Sequence, residues 1–160
     1  MKTNVARGSL IALIAAVIVI GPAVLRADES GHAKIVIQTP LAPPAIGPYS
    51  QAIRVGNTVY VSGEVGADAT GTIVGPSIEQ QTDQALENID NILRAAGARL
   101  DDVVTTTVYL VNVTDFAKMN ARYALAFPSA PPARATIQVA ALPKPGALVE
   151  ISAIAVIPSD

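Results

Sequence analysis

Two residues of opposite charge stand in apolar runs near the end of the chain. Arg134 lies within Pro132-Ala133-Arg134-Ala135-Thr136, and Glu150 within Leu148-Val149-Glu150-Ile151. A charge in such a setting is costly to bury unless something compensates it. The pair fits two readings. In one, Arg134 and Glu150 form a structural salt bridge. In the other they line one pocket, Arg134 as an anion clamp and Glu150 as a general base. Other chemistries drop out. The single histidine, His32, lies close to the N-terminus, so there is no Ser-His-Asp set. The absence of cysteine removes thiol nucleophiles and disulfides and, with one histidine, any expectation of a zinc site. Neither G-x-x-x-x-G-K-[ST] nor G-x-G-x-x-G occurs.

The elements that must position these residues can be read from periodicity and punctuation. Lys34 to Gln38 is an expected short strand, and the proline-rich stretch Pro40 to Pro48 excludes helix and central strand. Gln51–Val55 and Thr58–Ser62 flank Gly56-Asn57 as a hairpin. Ala67 to Gly75 is turn-rich, with an extended piece at Thr72–Val74. Ser77 to Ala96 reads as a helix. Ser77 and Gln80 suggest a capping box, the apolar face runs from Ile78 through Leu86, Ile89 and Leu93, and Gly97 ends it. Val103–Val111 is a Thr/Val-rich strand. Thr114–Phe127 is a second helix with Phe116, Met119, Tyr123 and Phe127 on one face, stopped by Pro128. Arg134–Leu142 and Leu148–Ile157 are strands joined by Pro143-Lys144-Pro145-Gly146. The order implies an α+β domain, one sheet with two helices packed on one face. The last strand looks apolar on both sides, so the second face is expected to be covered by other subunits.

Residues 1–27 read as an export signal: Lys2 and Arg7 precede an uncharged stretch from Gly8 to Leu25 that Gly21-Pro22 interrupts. The alternative is a membrane anchor formed by residues 8–25. Residues 28–33 then form a tether and 34–160 the domain. The expected location is exported, periplasmic or secreted. Beyond the leader the chain holds eight basic and thirteen acidic residues, a net charge of −5, which argues against nucleic acid as a partner.

A set of ordered motifs resembles the reactive intermediate deaminase (RidA/YjgF) family. The set comprises Ala45-Ile46-Gly47-Pro48-Tyr49-Ser50-Gln51, Val61-Ser62-Gly63-Glu64, Asn88-Ile89 with Ala95-Ala96-Gly97, Asp115-Phe116 with Met119-Asn120-Ala121-Arg122-Tyr123, Pro132-Ala133-Arg134, Val139-Ala140 with Leu142-Pro143, and Val149-Glu150-Ile151 with Ala153-Ile154-Ala155-Val156. The resemblance covers roughly residues 36–157. It implies a chorismate-mutase-like homotrimer whose sites lie between subunits. The implied reaction is the hydrolysis of small 2-imino acids to 2-oxo acids and ammonia, with no metal and no organic cofactor, and no membrane association after leader cleavage.

Carried onto this chain, the resemblance implies that Arg134 grips the substrate carboxylate and that Glu150 activates water and passes a proton to the leaving ammonia. Tyr49, Ser62, Gly63, Asn120 and Thr136 would line the substrate site. Each has a plainer alternative: Tyr49 as a loop aromatic, Ser62 and Gly63 as a strand end, Asn120 as a helix-surface amide. The chain departs from the family pattern at Ala135 and Thr136, where serine and cysteine are common, and at Glu64, where glutamine is frequent. Glu64 would add a second carboxylate at the pocket mouth. The alternatives to a deaminase are a carboxylate-binding protein without turnover and an endoribonuclease-type activity.

Overall fold

The computed structural model describes residues 33–159. The expected leader, and the tether up to residue 32, lie outside the described residues. The elements are β1 (Lys34–Ile37), β2 (Ala52–Val55), β3 (Thr58–Val65), α1 (Ile78–Ala95), β4 (Val103–Leu110), α2 (Phe116–Ala126), β5 (Ala133–Gln138) and β6 (Val149–Val156). The strands form one six-stranded sheet in the order β1-β2-β3-β6-β4-β5. Only β4 and β5 run parallel, so the sheet is mixed.

Local sequence accounts for most element ends. Gly56 has φ 57° between the paired residues Val55 and Thr58, as the first central position of a type II′ hairpin turn requires. Ser77 Oγ accepts the backbone N–H of Gln80 at 3.2 Å, so the N-cap is as expected. The second half of the capping box is replaced by a contact between Ser77 Oγ and Gln80 Oε1. Gly97 takes φ 81°, and Ala98 N–H donates back to the Leu93 carbonyl. Arg54 guanidinium donates to the last carbonyl of this helix end, Ala96 O, at 2.9 Å.

Two strand ends differ from the periodicity. β3 runs on to Val65 because β6 continues to pair with it, Glu64 opposite Ile151 and Val65 opposite Glu150. β5 stops at Gln138 rather than Leu142. It pairs with β4 alone, β4 ends at Leu110, and Val139 N–H makes the last bond to Leu110 O. Beyond that point there is no ladder partner. β6 is also less uniform than expected. Val149, Ile151, Ala153 and Ala155 are buried on one side, whereas Glu150, Ser152 and Ile154 are half-buried and Val156 exposed.

The alternation divides the sheet into two unlike faces. Ile151, Val108 and Val61 join Leu86, Ile89, Ile92, Leu93, Met119 and Tyr123 of the two helices in the core. The opposite face carries cross-strand rows: Tyr60–Ile154–Thr105, Ser152–Thr107–Ala135 and Glu150–Tyr109–Ile137. Tyr60 and Ile137 are each 49% exposed there.

The polar ties inside the core hold the loop that follows β3. Asn88 is fully buried, and its amide donates to Val65 O at 3.2 Å and Ala67 O at 2.8 Å. Gln81 donates to Gly75 O and Gly146 O and accepts from Leu148 N–H, so one side chain joins two loops. Replacing Asn88 by alanine removes both bonds and strands the Ala67 carbonyl in the core, while Val65 O keeps the Ala67 N–H. Urea unfolding should show Asn88→Ala less stable by about 2–4 kcal/mol, with the m-value unchanged.

Candidate functional site

The site begins with a loop that could not order itself. Residues 38–50 contain four prolines and no regular hydrogen bonding, yet Gln51 beside them is 3% exposed. Its amide nitrogen donates to Thr39 O (3.2 Å), Ala42 O (3.3 Å) and Pro43 O (2.7 Å), and its oxygen accepts Thr39 N–H at 2.7 Å. One side chain thus supplies the pairing that proline denies the backbone. The loop carries Tyr49, half exposed, whose hydroxyl accepts Ile46 N–H at 3.3 Å.

Next to the loop, β3 bulges. The pairing shifts between Val61 and Glu64, so Ser62 and Gly63 leave the regular register. Ser62 Oγ donates to Ser50 O at 2.7 Å, and Ser62 N–H to Gln51 O at 3.0 Å, tying the bulge to the loop. A methyl group on Gly63 would meet the Glu150 carboxylate, which would have to move aside. The Glu150 side chain therefore lies across the bare backbone of the bulge.

These residues enclose a cavity of about 360 Å³, lined by Tyr49, Ser62, Gly63, Glu64, Lys144 and Glu150 among others. Burial pushes the Glu150 carboxyl above the usual range. Glu64 is 6% exposed, and burial, with a smaller push from the Glu150 charge, raises its carboxyl to about 8. At neutral pH Glu64 is therefore a neutral acid beside the Glu150 carboxyl. The glutamate expected at the pocket mouth is in the wall and largely covered.

Arg134 is elsewhere. Register puts it opposite Thr106 on the helix-bearing side of the sheet, while Glu150 stands opposite Tyr109 on the other side. Among the described residues neither takes part in an ion pair; the two pairs formed are Arg94–Asp90 and Arg122–Asp83. Within one copy there is thus no Arg134–Glu150 salt bridge, and the two residues do not line a common pocket. The physical reason is the two-residue period of the strands.

Arg134 is exposed on the edge strand β5, with its guanidinium carbon 4.5 Å from the ring centre of Tyr123 and 5.9 Å from that of Phe116. Tyr123 is fixed in turn by a 2.7 Å hydrogen bond to Thr106 Oγ1. Burial raises the Tyr123 hydroxyl, against the lowering effects of Thr106 and the Arg134 charge. Thr136 follows two residues after Arg134, opposite Val108 and so on the same face. Asn120 falls between Phe116 and Tyr123 in helical spacing, and its Oδ1 is buried without a partner.

The sequence-derived residues therefore fall into two separate groups. Tyr49, Ser62, Gly63 and Glu150 gather with Glu64 around the cavity. Arg134 and Thr136 share a face of β5, where the Phe116 and Tyr123 rings of α2 meet the guanidinium; Asn120 lies on the same helix. The roles of Gln51 and of the Tyr123 and Phe116 rings were not legible in the sequence. Gln51 sits inside a quoted motif, but a glutamine in a loop gives no sign of four backbone bonds. The rings were read as core alone. Among the described residues there is no cluster of metal-binding side chains.

Comparison with known proteins agrees with this geometry. The family model described as endoribonuclease L-PSP matches residues 39–157. A RutC family protein of Pyrococcus abyssi is 52% identical over 124 residues, covering 77% of this chain and 97% of its own. A mouse protein named 2-iminobutanoate/2-iminopropanoate deaminase is 50% identical over 122 residues, covering 76% of this chain and 90% of its own. The crystal structure of E. coli TdcF with bound serine superposes with a TM-score of 0.74 at 38% identity, covering 78% of this chain and 99% of that one.

The Glu64 carboxyl has a consequence for stability. Its folded value, about 8, lies above the ordinary 4.5, so the folded state keeps a proton that the unfolded chain has released. The contribution is fully present below about pH 4.5 and is lost as pH rises through about 8. Urea midpoints of wild type and Glu64→Gln, measured from pH 5 to 9, should diverge with rising pH. The glutamine variant, with no proton to release, should be the more stable at the alkaline end.

Proposed function

The chain belongs to the endoribonuclease L-PSP (RidA/YjgF) family, and from that premise we propose that it hydrolyses small 2-imino acids to 2-oxo acids and ammonia, at sites shared between the subunits of a homotrimer. The observation that carries this reading is the separation of the two groups. Among the described residues Arg134 is an exposed cation without a carboxylate partner, and Glu150 is a carboxyl with raised proton affinity in a cavity without arginine. Each supplies what the other lacks, and only a second copy can bring them together. The exposed apolar rows beside Glu150, with Tyr60, Ile154 and Ile137, are the surface such a copy would cover. The relatives named imine deaminases, at about 50% identity, support the substrate class.

The chemistry follows from the groups present. A 2-imino acid protonated on nitrogen has an electrophilic C2. Arg134 meets both carboxylate oxygens with its planar fork and sets C2 over the Glu150 carboxylate. The Tyr123 and Phe116 rings hold the guanidinium in place without neutralising it. Glu150 takes a proton from water as the oxygen attacks C2, leaving a carbinolamine. Loss of ammonia then gives the 2-oxo acid. Tyr49, Ser62 and Gly63 shape the wall on the Glu150 side, with Asn120 and Thr136 beside Arg134. RNA is a poor fit: residues 28–160 carry a net charge of −5, which repels phosphate. We further propose that the protein is exported, on the strength of the leader-like residues 1–27.

Freshly generated 2-iminopropanoate should be hydrolysed faster with the protein than without it. Arg134→Lys should lower kcat/KM by about 10- to 100-fold, because lysine keeps the charge but loses the fork. An unchanged kcat/KM with a lowered melting temperature would give Arg134 a purely structural role.

A mixing experiment tests the shared site. Arg134→Ala and Glu150→Gln should each be inactive alone. Co-expressed, random trimers should regain up to about a quarter of wild-type activity, since one junction in four pairs an intact Arg134 with an intact Glu150. No recovery in hybrids of confirmed mixed composition would place the two residues in separate functions.

A further inference from the structure

The cavity holds a second carboxyl that the reaction above does not use. We propose that Glu64 is a catalytic residue, the acid that protonates the departing nitrogen, while Glu150 acts as the base toward water; this rests on the deaminase reading. Three observations support it. Glu64 lines the same cavity as Glu150. Its carboxyl feels the charge of Glu150, although the register starts the Glu64 side chain on the helix-bearing side, opposite Ile151. It is almost fully buried, where an unpaired carboxylate is costly and the neutral acid is favoured. Burial and the Glu150 charge both act to keep the proton on Glu64 at neutral pH. The surroundings offer little to reverse that. The other titratable groups of the cavity wall are Lys144 from the β5–β6 connection and Tyr49 from the proline loop. The buried face of α1, which packs on β3, carries amides, a threonine and aliphatic residues but no titratable side chain.

Two carboxyls pushed into different protonation states divide the labour of the reaction. Water attacks C2 of the iminium, a C–O bond forms, and the C=N electron pair moves onto nitrogen. Glu150 takes the water proton and becomes neutral. Glu64 then gives its proton to the carbinolamine nitrogen. The C–N bond breaks with its pair leaving on ammonia, the oxygen lone pair closes C=O, and the hydroxyl proton returns to Glu64. Ammonia takes the proton from Glu150 and departs as ammonium. The sum is iminium plus water giving 2-oxo acid plus ammonium, with both carboxyls restored.

The test is the pH dependence of kcat for 2-iminopropanoate hydrolysis by wild type, Glu64→Gln and Glu64→Asp, each shown by circular dichroism to be folded at the assay temperature. Glutamine has the size and polarity of the neutral acid but no proton to transfer. Wild-type kcat should fall as pH rises past about 8. In Glu64→Gln, kcat should drop on the order of 10²-fold with KM little changed, and this alkaline limb should vanish. Glu64→Asp should keep the limb and recover part of the rate. Any limb that comes from the substrate is common to all three proteins and cancels in the comparison. Glu64→Gln with wild-type kcat and pH profile would overturn the assignment and leave the deaminase reading standing. A lowered kcat with the limb intact would also overturn it, making Glu64 a packing residue. Wild type that fails to accelerate hydrolysis would overturn the deaminase reading and the assignment together.

Discussion

A β-strand turns successive side chains to opposite faces, and this alternation decides how the chain can use its charges. β4, β5 and β6 are paired in one sheet with a fixed register, so Arg134 falls opposite Thr106 and Glu150 opposite Tyr109. No rotamer brings a guanidinium on one face to a carboxylate on the other. The core beneath α1 and α2 fixes the register, since a one-residue slip would expose Val149, Ile151, Ala153 and Ala155 together. The charges are thereby kept apart within one copy. The same alternation lines up Tyr60, Ile154 and Ile137 beside Glu150 on the uncovered face.

The cavity is shaped where regular structure gives way. The bulge at Ser62–Gly63 takes backbone out of the ladder, and the missing Cβ of Gly63 leaves room for Glu150. The proline loop contributes Tyr49 but cannot bond to itself, and Gln51 answers by satisfying four of its backbone groups. A loop with few internal hydrogen bonds is thereby anchored through one buried side chain. Around Arg134, aromatic rings do the corresponding work. They orient Arg134 through their faces and leave its hydrogen-bond donors available.

The cost of this arrangement is electrostatic. Two carboxyls share one low-polarity cavity, and the only nearby cation of the wall is Lys144. Burial dominates over repulsion in raising Glu64, so the pair relieves itself by protonation rather than by an ion pair. A buried acid kept neutral at physiological pH is a source of stability in acid and a liability in alkali.

Much of the architecture followed from the residues themselves. Periodicity and punctuation determine α1 with its Ser77 cap and Gly97 stop, the Gly56-Asn57 turn, and the order of strands and helices, because these depend on neighbours a few residues apart. The ordered motifs around Tyr49, Ser62, Arg134 and Glu150 determine the family. Strand ends were less legible, since β3 and β5 stop where a partner from a distant part of the chain runs out. The division of the site was not legible at all. Arg134 and Glu150 look alike in sequence, each a lone charge in an apolar strand, and only the pairing of β4 with both β5 and β6 assigns them to opposite faces. Glu64 likewise shows nothing of its proton affinity in the sequence, because that depends on how much water and which charge the folded chain leaves beside it.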